Sequence, residues 1–333
     1  MQDSDDVRAR MTIAVLTEPG HTVTGQLLRI IGPAETLALL RDARIPLPSQ
    51  VDPVLGAQWR EATAARLLDG LADQAARLTD QHELRILTPG RAGWPASLAD
   101  LGDRAPVMLW AKGNPELLTS SLASRVTFTG ARASSAYGEH VTRELVADLL
   151  RGPRIVVAGG AYGIDAATHR AALAARSAST IAVLAGGLDR PYPAGHTELF
   201  QDIVDAGGIQ ISETPPATAP TKWRFIARAR LLAALGGASI IPEAGYRSGS
   251  LLVAARATEL GRPVGTVPGP ITSAASSGCH RLLREGLAEV ITHAGEITEL
   301  LDPAPPSFLS PAIQEVARRA APNAGKTVRR AAL

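Results

Sequence analysis

Nine short apolar runs, separated by helical stretches, constrain this chain more than any other feature. Between residues 85 and 300 they read LRILT, PVMLWA, RVTFTG, RIVVAGG, TIAVLAGG, GIQISE, ASIIPEA, PVGTVPG and AEVIT. Each is rich in Val, Ile or Leu and shows little polar alternation. Strands of that kind are buried on both faces, as in a mostly parallel sheet covered by helices on both sides. Several run into Gly where a loop leads on to a helix. In open sheets of this class ligands sit at the carboxyl ends of strands. The pattern therefore predicts an α/β domain over 81–302.

Residues 1–80 read as short helices without a strand. Thr24–Ala43 has apolar residues at helical spacing, broken at Gly32-Pro33, with Pro33 placed to start the next helix. Trp59–Leu78 reads as one amphipathic helix. Residues 303–333 form a basic tail: Arg318, Arg319, Lys326, Arg329 and Arg330 stand against one acid, Glu315. There SPAIQEVARRAA has the pattern of one short helix, and the rest reads as partly disordered.

Aromatic residues make up 4% of the chain, so the core has to be Ala, Leu, Ile and Val. The net charge of +2 does not by itself indicate a nucleic-acid partner. Lys112, Lys222 and Lys326 are the lysines, so 31 of the 34 basic residues are Arg. A GC-rich genome produces that bias; so does planar, bidentate phosphate recognition. The single cysteine, Cys279, excludes an intrachain disulfide and points to a reducing compartment. The start, MQDSDD, is acidic and lacks the apolar stretch of a signal peptide. No apolar run approaches the ~20 residues of a membrane span. The expectation is a cytoplasmic protein with no membrane partner.

Ile155–Leu173, IVVAGGAYGIDAATHRAAL, carries an apolar strand into a glycine cluster and then a helix, the pattern of a backbone phosphate cradle. It is not a dinucleotide fingerprint. Residues 158–163 lack the first Gly, and the next strand ends in glycines rather than an acid. No Walker lysine follows. No Cys/His cluster has metal-ligand spacing. Neither a cofactor nor a metal is expected.

Further segments have the look of anion seats. Thr129–Gly138 leaves a strand through Gly130 with Arg132 in the turn; Ala185–His196 leaves another with Arg190; Pro242–Ala257 places Arg247, Ser248, Gly249 and Ser250 at a helix start. With Gly159, Gly160 and Gly163, these loops would converge on one sheet edge. Any one of them alone is equally explained by turn and capping needs. Mononucleotides need one or two seats; a series fits an extended polyanion. In Thr221–Leu232, TKWRFIARARLL, Lys222, Arg224, Arg228 and Arg230 are interleaved with Trp223 and Phe225. Two readings stand side by side here: cations and rings for a single-stranded nucleic acid, or a solvated loop entering a core helix. Asp165 reads as a cap or an organiser of the glycine loop, His169 as structural, Cys279 as inert, and Glu243 as a hydrogen-bonding partner of a neighbouring loop. No catalytic group is expected.

In this order the segments resemble the DNA-processing protein A family (DprA, also called Smf). TGAR, GGAYGIDAATH, LAGGLDRPYPAGH, ISETPP, FIARARLL, EAGYRSGSLLVAARATELGRPVGTVPGPI and GCHRLLREG carry the likeness, from about Arg85 to Leu301, with a weaker likeness over the N-terminal helices. The resemblance implies an extended Rossmann-like, mostly parallel sheet with a small N-terminal all-α domain of SAM or helix-hairpin type. It also implies a homodimer that binds single-stranded DNA without catalysis and loads a RecA-type recombinase during natural transformation. The family's phosphate positions fall on Gly130, Arg132, Gly163, Arg190, Arg228, Arg230 and Ser248. Departures are Ile226 for Pro, Ala229 for Asn and Tyr162 for Arg. Many relatives carry a C-terminal winged helix, for which residues 303–333 are too few. Two alternatives are a nucleotide phosphoribohydrolase of the lysine-decarboxylase-like family and a mobile-element or defence nucleic-acid sensor. The first needs P-G-G-x-G-T-x-x-E where this chain has PEAGYRSGS.

Overall fold

The first five helices pack around their own apolar cluster. They are α1 (Gln2–Leu16), α2 (Thr22–Ile30), α3 (Gly32–Arg41), α4 (Pro53–Ala64) and α5 (Leu71–Gln81) in the computed structural model, which describes residues 2–68 and 70–302. Ile13, Leu27, Leu39 and Trp59 fill that cluster, and Trp59 Nε1 donates to Thr24 Oγ1 at 2.8 Å. Pro33 sits in the first turn of α3, where its missing N–H costs nothing. Asp52 caps α4 by accepting from the Val54 and Leu55 amides. The single helix expected over Trp59–Leu78 is two. Gly70 has φ +83°, a left-handed conformation no continuing helix contains, and α5 restarts after it.

All nine apolar runs are strands of one sheet: β1 (Arg85–Leu87), β2 (Leu109–Gly113), β3 (Arg125–Phe128), β4 (Ile155–Gly159), β5 (Thr180–Val183), β6 (Ile209–Ser212), β7 (Ala238–Ile241), β8 (Val264–Thr266) and β9 (Glu289–Val290). Their order is β1-β2-β6-β5-β4-β3-β7-β8-β9. The pairings from β6 to β9 are parallel, while β1–β2 and β2–β6 are antiparallel. The remaining helices are α6 (Glu116–Thr119), α7 (Ala136–Leu149), α8 (Ile164–Ala175), α9 (Thr197–Asp205), α10 (Lys222–Leu235), α11 (Ser250–Glu259), α12 (Ser277–Arg284) and α13 (Ala294–Leu301).

Period-2 alternation sends each strand's side chains to both faces. Ile155 and Val157 of β4 join Leu231, Leu232 and Val253 of α10 and α11; Val156 joins Val146 and Leu149 of α7 on the other face. Continuous apolar strands follow from that double cover. The described residues up to Leu301 belong to one compact unit. The short helix expected in SPAIQEVARRAA lies outside the described residues. Among the described residues no helix is long and apolar enough to cross a membrane.

Candidate functional site

The sheet order reverses between β3 and β7: chain succession runs from β3 outward through β4 and β5 on one side, and from β7 through β8 on the other. Such a switch point opens a crevice at the carboxyl ends of the two strands. A pocket of about 600 Å³ lies there. Its walls come from the β3–α7 loop (Thr129, Gly130, Arg132), the β4–α8 connection (Ala161, Asp165), α10 (Lys222, Phe225, Ile226, Arg228, Ala229, Leu232) and the start of α11 (Ser248, Gly249, Ser250, Leu252, Val253). On α10 the spacing 222, 225, 229, 232 is one helical face.

Buried Glu243, just past β7, ties these loops together. Its carboxylate accepts from the Ser135 amide at 2.7 Å and from Ser135 Oγ at 2.5 Å, and its carbonyl accepts from the Ala131 amide at 2.7 Å. Ser135 Oγ also accepts from the Gly138 amide, capping α7. The start of α8 is fastened to the same loop by Ile164 N–H donating to the Ala131 carbonyl at 3.1 Å. Gly163 permits this approach: its φ is +76°, and a Cβ there would stand 2.2 Å from the Ala131 oxygen. A Cβ on Gly130 would stand 2.5 Å from the Glu243 carbonyl oxygen.

The floor is a buried pair. Asp165 accepts from Thr129 Oγ1 at 2.8 Å and the Ala161 amide at 3.2 Å, so it does order the glycine loop. Arg228 Nη2 stands 3.9 Å from its Oδ2. Burial pushes the Asp165 carboxyl above the usual carboxylate range, against the pull of Arg228, and pushes the Arg228 guanidinium down. Arg228 Nη1 donates weakly to the Val183 carbonyl at 3.3 Å, and its Nε has no acceptor. Gly159 leaves room for the pair, since a Cβ would lie 2.3 Å from Asp165 Oδ2. Two guanidiniums lie over the Phe225 ring, Arg132 at 4.5 Å and Arg228 at 5.3 Å from its centre. Arg132 is exposed, as is Lys222. Ser248 Oγ and Ser250 Oγ are 2.8 Å apart at the mouth of α11. The arrangement offers three cations against one carboxylate of raised pKa, beside an apolar wall of Phe225, Ile226, Ala229, Leu252 and Val253.

Not every expected seat joins the pocket. Arg230 is a correction: its guanidinium is sealed in a two-bond pair with Glu213 at 2.6 and 2.5 Å, both side chains under a tenth exposed, and its Nε donates to the Arg104 carbonyl. Two residues along a helix turn a side chain by about 200°, so Arg230 faces away from Arg228. Arg224 is likewise engaged, by Glu18 at 2.9 and 3.1 Å. Gly160 faces the core, where a Cβ would strike Leu184 and Phe200. Arg190 and Arg247 stand exposed on carboxyl-edge loops and do not line the pocket; Arg190 has only a long contact to Asp189, at 3.9 Å.

One feature shows only in part in the sequence, where Tyr162 alone of the tyrosines stands out, as the replacement for an Arg. The chain has four tyrosines, and all are exposed on carboxyl-edge segments: Tyr137 after β3, Tyr162 after β4, Tyr192 after β5 and Tyr246 after β7. Trp223, after β6, is 73% exposed. Among the described residues these are the exposed Tyr, Trp and Phe rings. Tyr192 contacts Phe225 edge-on at 6.0 Å, which brings the Arg190 loop beside the pocket. The signal lay in the tyrosines' positions, each following a strand.

His169 is structural, bonded to the Gly159 carbonyl and Thr180 Oγ1, both at 2.8 Å. Burial lowers it to about 4. The unfolded chain then binds its proton first, so this stabilisation is present above pH 6.5 and is lost as pH falls towards 4. The loss amounts to about 3 kcal/mol at ~1.4 kcal/mol per pH unit. His169→Gln is expected to flatten the fall of the urea midpoint over that window. Cys279 is buried, with its thiol raised by burial. Among the described residues no group of three or more His, Cys, Asp or Glu could hold a metal.

Residues 85–302 match the model of the family described as DNA recombination-mediator protein A. A DNA processing protein DprA of Mycobacterium tuberculosis is 41% identical over 305 residues, covering 88% of this chain and 75% of that protein. The DNA processing protein DprA of Streptococcus pneumoniae is 39% identical over 204 residues, covering 61% of this chain and 70% of that protein. The X-ray structure of DNA processing protein A from S. pneumoniae superposes with TM-score 0.67 at 28% identity, covering 86% of this chain and 94% of that one. A structure of DNA processing protein A from Helicobacter pylori, reported for its single-stranded DNA binding mode, has TM-score 0.58 at 28% identity, covering 65% and 95%.

Proposed function

Since the chain belongs to the DNA recombination-mediator protein A family, we propose that it binds single-stranded DNA along the carboxyl edge of its sheet and passes it to a RecA-type recombinase. The observation that carries the reading is the Phe225 ring in contact with both Arg132 and Arg228 in the lining of a pocket at the switch point. Arg132, Lys222 and Arg228 neutralise phosphates, and Ser248 and Ser250 add hydroxyl donors. Rings on the neighbouring loops supply stacking faces that tolerate any base. A duplex hides its base faces, so selectivity for single strands follows. The H. pylori relative's reported binding mode supports the same ligand class.

Recombinase loading, a homodimer, a role in natural transformation and a cytoplasmic location rest on family membership and the resemblance of the motifs. In this reading the protein is a binder rather than a catalyst. The phosphoribohydrolase alternative is disfavoured because the Glu243 carboxylate is spent on Ser135.

The test is a mobility shift with oligo-dT and with duplex DNA at 50 and 200 mM salt, with a nucleotide-hydrolysis control. Three phosphate contacts predict a single-strand salt slope near −2, hence about twentyfold weaker binding across that range. Duplex DNA is expected to bind more weakly throughout. A flat salt response, or equal duplex binding, removes the reading. Trp223→Ala is expected to raise Kd about tenfold, from ~1–3 kcal/mol of stacking, with the salt slope unchanged.

A further inference from the structure

β3 carries another cation at the end opposite the pocket. Arg125 opens the strand at the amino edge of the sheet and is 2% exposed. Its guanidinium donates to the Leu118 carbonyl and, at 3.2 Å, to Ser97 Oγ, while its buried Nε finds no acceptor. The charged group acting on it is a second cation, Arg262, which holds the Asp100 carboxylate for itself at 2.7 Å. The Asp100 carboxylate is thus taken by Arg262, and Arg125 has no acidic partner of its own. Burial and Arg262 lower Arg125 to about 10, which leaves it charged at neutral pH. A buried charge lacking a counter-charge is costly.

A depression of about 470 Å³ lies over this group, with Trp94, Ser97, Asp100, Thr119, Ser121 and Arg125 in its lining, the Asp100 carboxylate being the one neutralised by Arg262. Ser97 Oγ accepts from Arg125, and Ser121 Oγ accepts from the Ser124 amide at 3.2 Å. Each therefore keeps its own O–H to donate. Unspent N–H and O–H groups around a positive charge match an oxyanion.

We propose that this amino-edge depression is an anion site, separate from the carboxyl-edge pocket, that takes a phosphate group as the counter-charge of Arg125. It requires nothing of the single-stranded DNA reading and stands if that reading falls.

The test is thermal unfolding of the full chain against inorganic phosphate at constant ionic strength, with ³¹P line broadening as a direct readout. Phosphate is expected to raise the midpoint saturably. The response should persist in Arg132→Glu, which disables the carboxyl-edge pocket. Ser121→Asp, an exposed change that can still cap Ser124, should weaken phosphate at least tenfold and leave oligo-dT affinity unchanged. Arg125→Lys should also weaken it; if that variant misfolds, Ser121→Asp decides. A parallel arm with thymidine 5′-monophosphate separates the sources: tighter binding than phosphate names a nucleotide stacked on Trp94, and equal binding names the free ion. The proposal is overturned if the response vanishes in Arg132→Glu or survives Ser121→Asp. It is also overturned if chloride matches phosphate, an adventitious ion only.

Discussion

Arg132→Glu is expected to weaken oligo-dT binding by about a hundredfold at 50 mM salt, with the unfolding midpoint almost unchanged. Arg132 is exposed, and its recorded contact is the Phe225 ring. Removing an exposed side chain of this kind changes stability by about 0.5 kcal/mol or less. A charge-assisted bond to phosphate contributes about 1.5–3 kcal/mol, and reversal adds repulsion beside Asp165. The sum reaches about 2.7 kcal/mol, or two decades in Kd. Arg132→Ala should fall between, with the salt slope reduced by about 0.7 for one lost phosphate contact. Mobility shifts at several salt concentrations measure both. An unchanged Kd for the glutamate variant removes Arg132 from the interface.

Arg230→Met is expected to do the reverse: a loss of about 3–5 kcal/mol in stability, with little change in the DNA affinity of the folded protein. The substitution leaves the Glu213 carboxylate buried without its cation, and that uncompensated charge sets the cost. It also removes the donor to the Arg104 carbonyl. Pairing Arg230→Met with Glu213→Leu should recover much of the loss, because a packed apolar pair avoids the stranded charge. Urea midpoints measure the first effect and mobility shifts the second. A tenfold loss of affinity in the double variant would return Arg230 to the phosphate seats.

These two arginines show where sequence is transparent and where it is not. Strands such as Val156–Gly159 are legible because burial on both faces leaves nothing but apolar and small residues. The break before Leu71 is hidden because the apolar spacing of Trp59–Leu78 stays in helical register across Gly70. Arg132 is legible as a pocket residue because its turn leaves a strand through Gly130, and Arg228 because cations and rings alternate along Lys222–Arg230. Arg230 misleads because its partner, Glu213, lies on the far side of a loop, and no local spacing marks the pair. Treating Lys222–Leu235 as a helix from its first residue would have turned Arg230 away from Arg228. The exposed tyrosines other than Tyr162 are hidden for another reason: solvent exposure is a tertiary property, and a lone Tyr in a turn looks the same whether it packs or not.

The family model begins at Arg85, yet no physical seam exists there. Trp110 Nε1 on β2 donates to Thr79 Oγ1 on α5 at 3.0 Å, and Met11, Ala14 and Ala75 cover Met108, Trp110 and Leu184. Excising the first eighty residues would strip a greasy flank of the sheet bare, and the fragment would self-associate before its grip on any polynucleotide could be judged. For this chain, an alignment boundary is a poor place to cut.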